Sequence, residues 1–183
     1  MISEFFSVFP SIDINDQVYL REIRSEDIKN FYEYITCADV TKFLSDPEIP
    51  KSLDEAREEL LYWADLFTRR SSVYWAIADK KNDALIGTAG FNSWSKYHRR
   101  AEISYDLSST YWNRGIMTDV VRAITKFAFD HMKVNRIQAT VVHYNIGSIK
   151  VVEKCHYAQE CELVNYGVLH GKSENFFMYA ITN

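Results

Sequence analysis

The residues with the clearest chemical signal lie at 111–119, where Gly115 stands between a strand-like run and a strongly periodic stretch. The first N–H groups of a helix have no partner within it, and the helix dipole places partial positive charge at the same end. Phosphate groups bind readily at such ends. The stretch from Arg114 to Thr118 therefore predicts a site for a pyrophosphate-bearing ligand. The alternative is an ordinary strand-to-helix turn, because a single glycine is a weak signal.

Three predicted elements would position this turn. β-rich runs predict strands over 101–107 and 136–142. Between them, apolar residues at helical spacing predict a helix that begins at the turn and ends near Met132. A helix that connects two strands in this way makes them parallel neighbours. The sequence thus predicts a strand, turn, helix and strand arranged around the anion site.

The remaining segments complete a mixed chain in the order β-α-α-β-β-β-α-β-α-β-β. A strand over 18–24 precedes a helix capped by Ser25, and one helical turn is expected near 40–44. Ser52 and Glu55 form a capping box for an amphipathic helix. Further predicted elements are strands over 73–78, 84–91, 158–168 and 173–181, a helix over 145–156, and an irregular or short extended arm over 1–17.

The composition supports one packed domain over residues 1–183. The chain is 47% hydrophobic and 15% aromatic, with only six glycines and three prolines, which argues for a real core and against disorder. No linker, repeat or low-complexity segment divides it. We therefore expect a single domain of the α/β (α+β) class.

Charge and cysteine usage narrow the partners and the compartment. A net charge of −4 and the lack of an evident basic face argue against nucleic acid. No apolar run approaches the ~18 residues of a membrane span, and Glu4 stands where a signal peptide would need basic residues. The three cysteines form no metal-spaced group, and so sparse a set is typical of reduced thiols. We expect a cytoplasmic protein without metal, nucleic acid or membrane partner.

Three motifs, in the right order, resemble the GCN5-related N-acetyltransferase family. The acetyl-CoA loop of that family reads Arg/Gln-x-x-Gly-x-Gly/Ala, and 112–117 matches it with Gly115 at the fourth position. Trp112 and Met117 depart from this pattern. They resemble the branch that acetylates the N-termini of ribosomal proteins, where Tyr-Trp-x-x-Gly-x-x-Thr-Glu is usual and where Asp119 would replace the Glu. The run at 101–107 resembles the Ala-Glu-Ile-Gly-Tyr strand of the family.

The remaining motif spans 145–157 and resembles the sequence Asn-x-x-Ser-x-x-Val-x-Glu-Lys-x-Gly-Phe of the same branch. Its Gly is His156 in this chain, and its Phe is Tyr157. A glycine there would end the helix in the left-handed region. Histidine tolerates a positive φ more often than most other residues, so the fold should survive the change. Four polar positions match the motif: Asn145, Ser148, Glu153 and Lys154.

The resemblance covers about residues 18–180 and implies one acetyltransferase domain. Its expected fold is a mixed, mostly antiparallel twisted sheet of about six or seven strands flanked by four helices. The implied reaction is direct attack by an amine on the thioester of acetyl-CoA, without metal. The implied acceptor is the N-terminal α-amine of a protein. Alternatives are acetylation of a small amine, such as a polyamine or an aminoglycoside, and a non-catalytic acyl-CoA-binding module. Monomer and homodimer both remain open.

The resemblance also assigns cofactor contacts. Backbone N–H groups of 113–118 would hold the pyrophosphate, and the strand end at 107–108 would lend hydrogen bonds to pantetheine. Asn145 would cap a helix and contact pantetheine as well. For Arg114, a charge contact and a solvated position at the helix end are equally open. The implied cofactor-binding residues are Leu107, Ser108, Asn113, Arg114, Gly115, Ile116, Met117, Thr118, Asn145 and Ser148.

Three residues are candidates for the proton chemistry. Many family members carry a Tyr seven residues after the Asn, but Val152 stands there, so the resemblance makes Ser148 or an ordered water the proton donor to the leaving thiolate. Alternatively, Ser148 is a small residue that lets the helix approach the cofactor. Glu102 is a candidate general base through water, or it only holds a neighbouring backbone group. His143 is a second proton carrier of suitable pKa, although a lone His on a strand is more often structural.

Overall fold

The computed structural model describes residues 6–183; residues 1–5, and with them Phe5 of the predicted arm, lie outside the described part. Within it, eight strands form one sheet. They are β1 (Ile12–Asp13), β2 (Val18–Arg21), β3 (Tyr74–Asp79), β4 (Leu85–Ser95), β5 (Arg100–Leu107), β6 (Arg136–Val142), β7 (Ala158–Leu169) and β8 (Lys172–Thr182). The order across the sheet is β1-β2-β3-β4-β5-β6-β8-β7, and only β5 and β6 are parallel.

Five α-helices of the described residues cover the two faces of the sheet. They are α1 (Ile28–Ile35), α2 (Ala38–Thr41), α3 (Leu53–Thr68), α4 (Ile116–Phe127) and α5 (Ile146–Lys154). A π-helical turn continues α4 to Met132, the predicted end of that helix. The mixed, mostly antiparallel α/β fold is confirmed, with one strand and one helix more than expected. The added strand, β1, lies in the predicted arm, and α2 forms close to the helical turn predicted at 40–44.

The parallel pair at the centre of the sheet separates partway along its length. β5 and β6 are paired from Arg100 and Arg136 to Glu102 and Gln138, where their pairing ends. Beyond that point β5 stays paired with β4 as far as Leu107, and β6 stays paired with β8 along its whole length. The two strands therefore diverge, and a cleft opens between them in the middle of the molecule.

Packing on both faces fixes the position of this cleft. One apolar core lies between the sheet and α4 with α5, and the other lies between the sheet and α1 with α3. Successive side chains of a strand point to opposite faces. In β5, Ile103 and Leu107 join the first core, whereas Asp106 bonds to Tyr34 of α1 on the other side. The diverging end of β5 is thus held from both sides.

Local chemistry explains most helix ends, with two departures from the predicted caps. The first helical segment begins at Ser25, but its N-cap is Arg24 and not Ser25, and the Asp27 carboxylate accepts the Arg24 N–H at 2.8 Å. Ser52 accepts the Glu55 N–H at 3.2 Å as predicted, but Glu55 accepts from the neighbouring Lys51 N–H. The predicted positive φ at the end of α5 is present, since His156 has φ 65°.

Candidate active site

A cavity of about 920 Å³ opens where β5 and β6 diverge. Its walls are β5 from 102 to 107, β6 from 139 to 142, the turn and first helical turn at 111–118, and the start of α5. The segments 43–48 and 166–169 form its rim. Its size suits a small-molecule site, for which ~300–1,000 Å³ is usual. The cavity brings together all predicted site residues except Ser108.

The turn before α4 has the geometry expected of an anion site. Asn113 and Gly115 have positive φ values of 61° and 79°. The first main-chain hydrogen bond into α4 runs from the Asp119 N–H to the Gly115 carbonyl at 3.1 Å, so the preceding N–H groups are the ones a helix leaves for a ligand. A Cβ at Gly115 would meet no atom within 4 Å. Gly115 is therefore suited to this position by its positive φ, and the space beside it is open.

Side chains around this turn hold it against the end of β5. The Trp112 indole N–H donates to the Leu107 carbonyl at 2.8 Å, which gives the residue that departs from the family pattern a structural role. The Arg114 guanidinium donates to the Thr110 carbonyl at 2.7 Å and lies 5.0 Å from the centre of the Tyr111 ring. These contacts hold the exposed Arg114 guanidinium beside the turn and restrict how far it can extend.

Ser108 lies outside the lining of the cavity. Its N–H donates to the Ile86 carbonyl at 2.8 Å, and its hydroxyl is 3.0 Å from that of Thr110. Leu107, one residue earlier, does line the cavity, although its carbonyl is occupied by the Trp112 indole. Contacts to pantetheine at this strand end would thus involve Leu107 and not the Ser108 side chain.

The start of α5 joins the cavity wall to β5. The Asn145 side chain accepts the Ser148 N–H at 3.1 Å, so the predicted cap is present. The Ser148 hydroxyl lies 2.8 Å from the Tyr105 hydroxyl, and the two can exchange donor and acceptor roles. Burial raises the pKa of Tyr105 far above its ordinary value, so this phenol stays neutral. Sequence reasoning did not assign Tyr105 a role, because its partner lies 43 residues away.

The residue at the position of the missing family Tyr, Val152, contributes no polar group to the cavity. Val152 is 0% exposed and belongs to the core beneath α4 and α5. The phenol beside Ser148 comes instead from the facing strand, at Tyr105. A hydroxyl pair is therefore present at this wall, with a different origin from the one that the motif implies.

Glu102 stands at the last paired position of β5 and β6. Its carboxylate accepts from the Gln138 amide at 3.2 Å and from the Thr140 hydroxyl at 3.1 Å. These bonds join the two strands at the point where they diverge. A carboxylate offers about four acceptor sites, so two remain for a water or a substrate in the cavity. His143 lies elsewhere, 3.1 Å from the Asn175 carbonyl, and is not part of the cavity wall.

A second carboxylate, Asp106, also lines the cavity. Its Oδ1 accepts from the Tyr34 hydroxyl at 2.5 Å and from the Thr88 N–H at 3.0 Å, and its Oδ2 accepts from the Thr88 hydroxyl at 2.6 Å. Burial raises the pKa of Asp106, and these hydrogen bonds oppose the rise. Sequence reasoning missed this residue as a site candidate, since its partner on α1 lies 72 residues away.

Residues 6–183 contain neither a metal-binding cluster nor a helix suited to span a membrane. No three His, Cys, Asp or Glu side chains in that range are placed to hold a metal ion together. None of the helices in the same range combines the length and apolar character that crossing a membrane requires.

Comparison with known proteins places this cavity in context. A family model described as an acetyltransferase (GNAT) domain matches residues 17–158. The uncharacterized N-acetyltransferase p20 of Bacillus licheniformis is 28% identical over 166 residues, which cover 91% of this chain and 93% of that protein.

Solved structures share the fold at lower identity. The ribosomal-protein-S5-alanine acetyltransferase from Vibrio fischeri has a TM-score of 0.83 at 21% identity, over 95% of this chain and 97% of that chain. RimL, a ribosomal L7/L12 α-N-protein acetyltransferase solved with coenzyme A, has a TM-score of 0.86 at 19% identity, over 94% and 98% of the two chains. Because the family model matches well over half of the sequence, the chain belongs to the GNAT family of acetyltransferases.

Proposed function

We propose that the protein transfers the acetyl group of acetyl-CoA to a primary amine, and that the acceptor is the N-terminal α-amine of a protein in the cytoplasm. The observation that carries this proposal is the continuity of the cavity. A single space connects the anion-binding turn at Gly115 with the Ser148–Tyr105 hydroxyl pair and with the carboxylates of Glu102 and Asp106. The residues proposed to bind acetyl-CoA and those proposed to transfer protons thus line the same cavity.

The donor would lie along the wall formed by the turn and α5. The N–H groups of 113–118 would hold the pyrophosphate, with Arg114 adding positive charge from the side. Pantetheine would pass between the diverging strands, against Leu107, and reach Asn145 at the cap of α5. Ile116 and Met117 are buried beneath this path and support the turn. The proposal includes no metal.

The residues at the narrow end would handle the protons. As the amine nitrogen bonds to the thioester carbon, the carbon–sulfur bond breaks and the sulfur needs a proton. In the proposal the Ser148 hydroxyl supplies that proton, directly or from a water. Tyr105 donates to the Ser148 oxygen and so leaves the Ser148 hydrogen free to point into the cavity. Glu102 has acceptor sites left for the proton that the amine loses.

The acceptor assignment rests on acid–base chemistry and on the names of the neighbours. An α-amine has a pKa of about 7.7–8.0, whereas a Lys side chain near 10.4 needs roughly 3 to 4 kcal/mol more to become neutral. The residues that line the cavity include carboxylates but no Lys that could act as a strong base. This favours an α-amine over a Lys side chain as the acceptor. Two structural neighbours are named ribosomal-protein-S5-alanine acetyltransferase and ribosomal L7/L12 α-N-protein acetyltransferase.

An acceptor panel tests the proposal. Release of free CoA from acetyl-CoA is measured with peptides that carry a free N-terminus and with spermidine at equal concentration. We expect the peptides to be the better acceptors. A preference for spermidine would favour the small-amine alternative. Tight CoA binding without turnover on any amine would favour a binding module.

A further inference from the structure

Asp106 is a carboxylate in the cavity wall with no cationic partner. Among residues 6–183, none of the ion pairs between basic and acidic side chains includes it. Its hydrogen-bond donors are the Tyr34 hydroxyl and the hydroxyl and N–H of Thr88, all of them neutral. Placing a charge in a protein interior without a counter-charge is costly.

The acceptor sites of this carboxylate are nearly filled. Three donors occupy three of its roughly four lone-pair sites, two on Oδ1 and one on Oδ2. One site on Oδ2 is left, on a residue that lines the cavity. These hydrogen-bond donors lie on α1 and β4, so the Asp106 carboxylate is held from two sides before any ligand binds. A ligand that binds it need not order the side chain.

We propose that Asp106 receives the ammonium group of the acetyl acceptor, and that it selects cationic primary amines over neutral molecules of the same shape. The inference rests on the proposed transfer to an amine and names the residue that recognises that amine. An ammonium group supplies both missing features, a positive charge and N–H donors. It binds Asp106 in this form and gives one proton to water before the neutral amine attacks the thioester. A charge-assisted hydrogen bond of this kind is stronger than one between neutral groups.

The surroundings of Asp106 strengthen the selection for a cation. Burial and the Asp106 carboxylate together raise the pKa of Glu59, on α3, to about 7. The acidic side chains of the rim, Asp46 and Glu48, also line the cavity. This part of the cavity therefore carries several carboxyl groups, whereas the turn at Gly115 presents helix N–H groups. The two ends of the cavity thus suit substrates of different charge, a cationic acceptor at one end and the anionic phosphates of acetyl-CoA at the other.

Calorimetry on CoA-saturated protein tests the inference without turnover. The probes are a tetrapeptide amide with a free N-terminus and the same tetrapeptide with an acetylated N-terminus. We expect wild type to bind the free amine roughly 10- to 100-fold more tightly, the range for a hydrogen bond to a charged group. Asp106→Asn should bind both peptides equally. The matched control is Glu33→Gln, which removes one negative charge from the exposed face of α1 and should keep the preference.

Two results would overturn the inference: equal binding of both peptides by wild type, or an undiminished preference in Asp106→Asn. Unchanged CoA affinity shows that the variant is folded, and Asp106→Ser replaces it if it is not. If wild type acetylates 1,4-diaminobutane but no peptide, the N-terminal function fails on its own. The inference is then decided by the KM for that diamine, which must rise in Asp106→Asn and must not rise in Glu33→Gln.

Discussion

The Tyr105 hydroxyl lies 2.8 Å from the Ser148 hydroxyl and joins β5 to α5 across the wall of the cavity. Tyr105 also approaches the Ser148 carbonyl, at 3.4 Å. The phenol stays neutral because burial raises its pKa, so it orients Ser148 and does not act as an acid itself. This contact holds the Ser148 hydroxyl at the cavity wall before acetyl-CoA binds.

Removal of the phenol hydroxyl should slow turnover without weakening donor binding. We expect Tyr105→Phe to lower kcat about 10-fold and Ser148→Ala by about 10²-fold, the lower end for lost proton transfer. Because the two groups act as a unit, the double variant should resemble Ser148→Ala alone. Steady-state kinetics and the Kd for CoA check this. Tyr166→Phe, at the exposed rim of the cavity, is the control. Additive losses in the double variant would show that the pair does not work together.

The two left-handed glycines allow a matched test of the anion site. Gly115 and Gly171 have φ values of 79° and 75°, and an added Cβ would meet nothing within 4 Å at either. Gly115→Glu should abolish CoA binding, because it adds bulk and negative charge where the phosphates would lie. Gly171→Glu carries the same backbone strain on the β7–β8 turn and should bind CoA normally. Acetyl-CoA at 100 times its Kd should stabilise wild type and the Gly171 variant by about 2.7 kcal/mol. Equal CoA affinity of the two variants would contradict the proposed site.

Glu102 can be tested separately as a base and as a link between strands. Glu102→Gln keeps a hydrogen-bonding side chain but removes the charge, and we expect kcat to fall at least about 10²-fold. Thr140→Val removes one donor to Glu102 and keeps the carboxylate, so it should retain most of the activity. If Thr140→Val is as slow as Glu102→Gln, the role of Glu102 is to hold the strands.

Glu59 predicts a pH-dependent change in stability. Burial, with the nearby Asp106 charge, raises its pKa from 4.5 to about 7 in the folded protein. Between these values the folded state keeps a proton that the unfolded chain has lost, so the free energy of unfolding falls as pH rises. Glu59→Gln should therefore be more stable than wild type at about pH 8, by about 1 kcal/mol after allowance for solvent screening. At about pH 4 the two should match. Glu58→Gln, exposed on the same helix, should show no such trend in thermal melts.

Features set by neighbouring residues in the chain could be predicted from the sequence. The turn at Gly115 and the cap at Asn145 each follow from the steric and hydrogen-bonding limits of a few adjacent residues, whereas the left-handed His156 was expected from the glycine of the family motif. The family motifs then placed these local features in order, which gave the acetyltransferase fold. The arm was the exception, because a two-residue strand such as β1 has too little periodicity to be recognised.

Contacts between distant segments could not be predicted. Asp106 reads as one more polar residue on a strand until Tyr34 and Thr88 are brought against it, and Tyr105 has no visible partner until α5 packs beside β5. Alternation along β5 gives the face of each side chain but not what covers that face. The contacts of Asp106 and Tyr105 in this cavity were therefore found only in the structure.

Mass spectrometry of a single incubation tests the central claim most directly. Purified protein, acetyl-CoA and a peptide carrying both a free N-terminus and an internal Lys are mixed, and fragmentation locates any added acetyl group. The account predicts one acetyl group on the α-amine, with an equal amount of CoA released and with neither change in Gly115→Glu. An unmodified peptide, or acetylation confined to the Lys side chain, would contradict it.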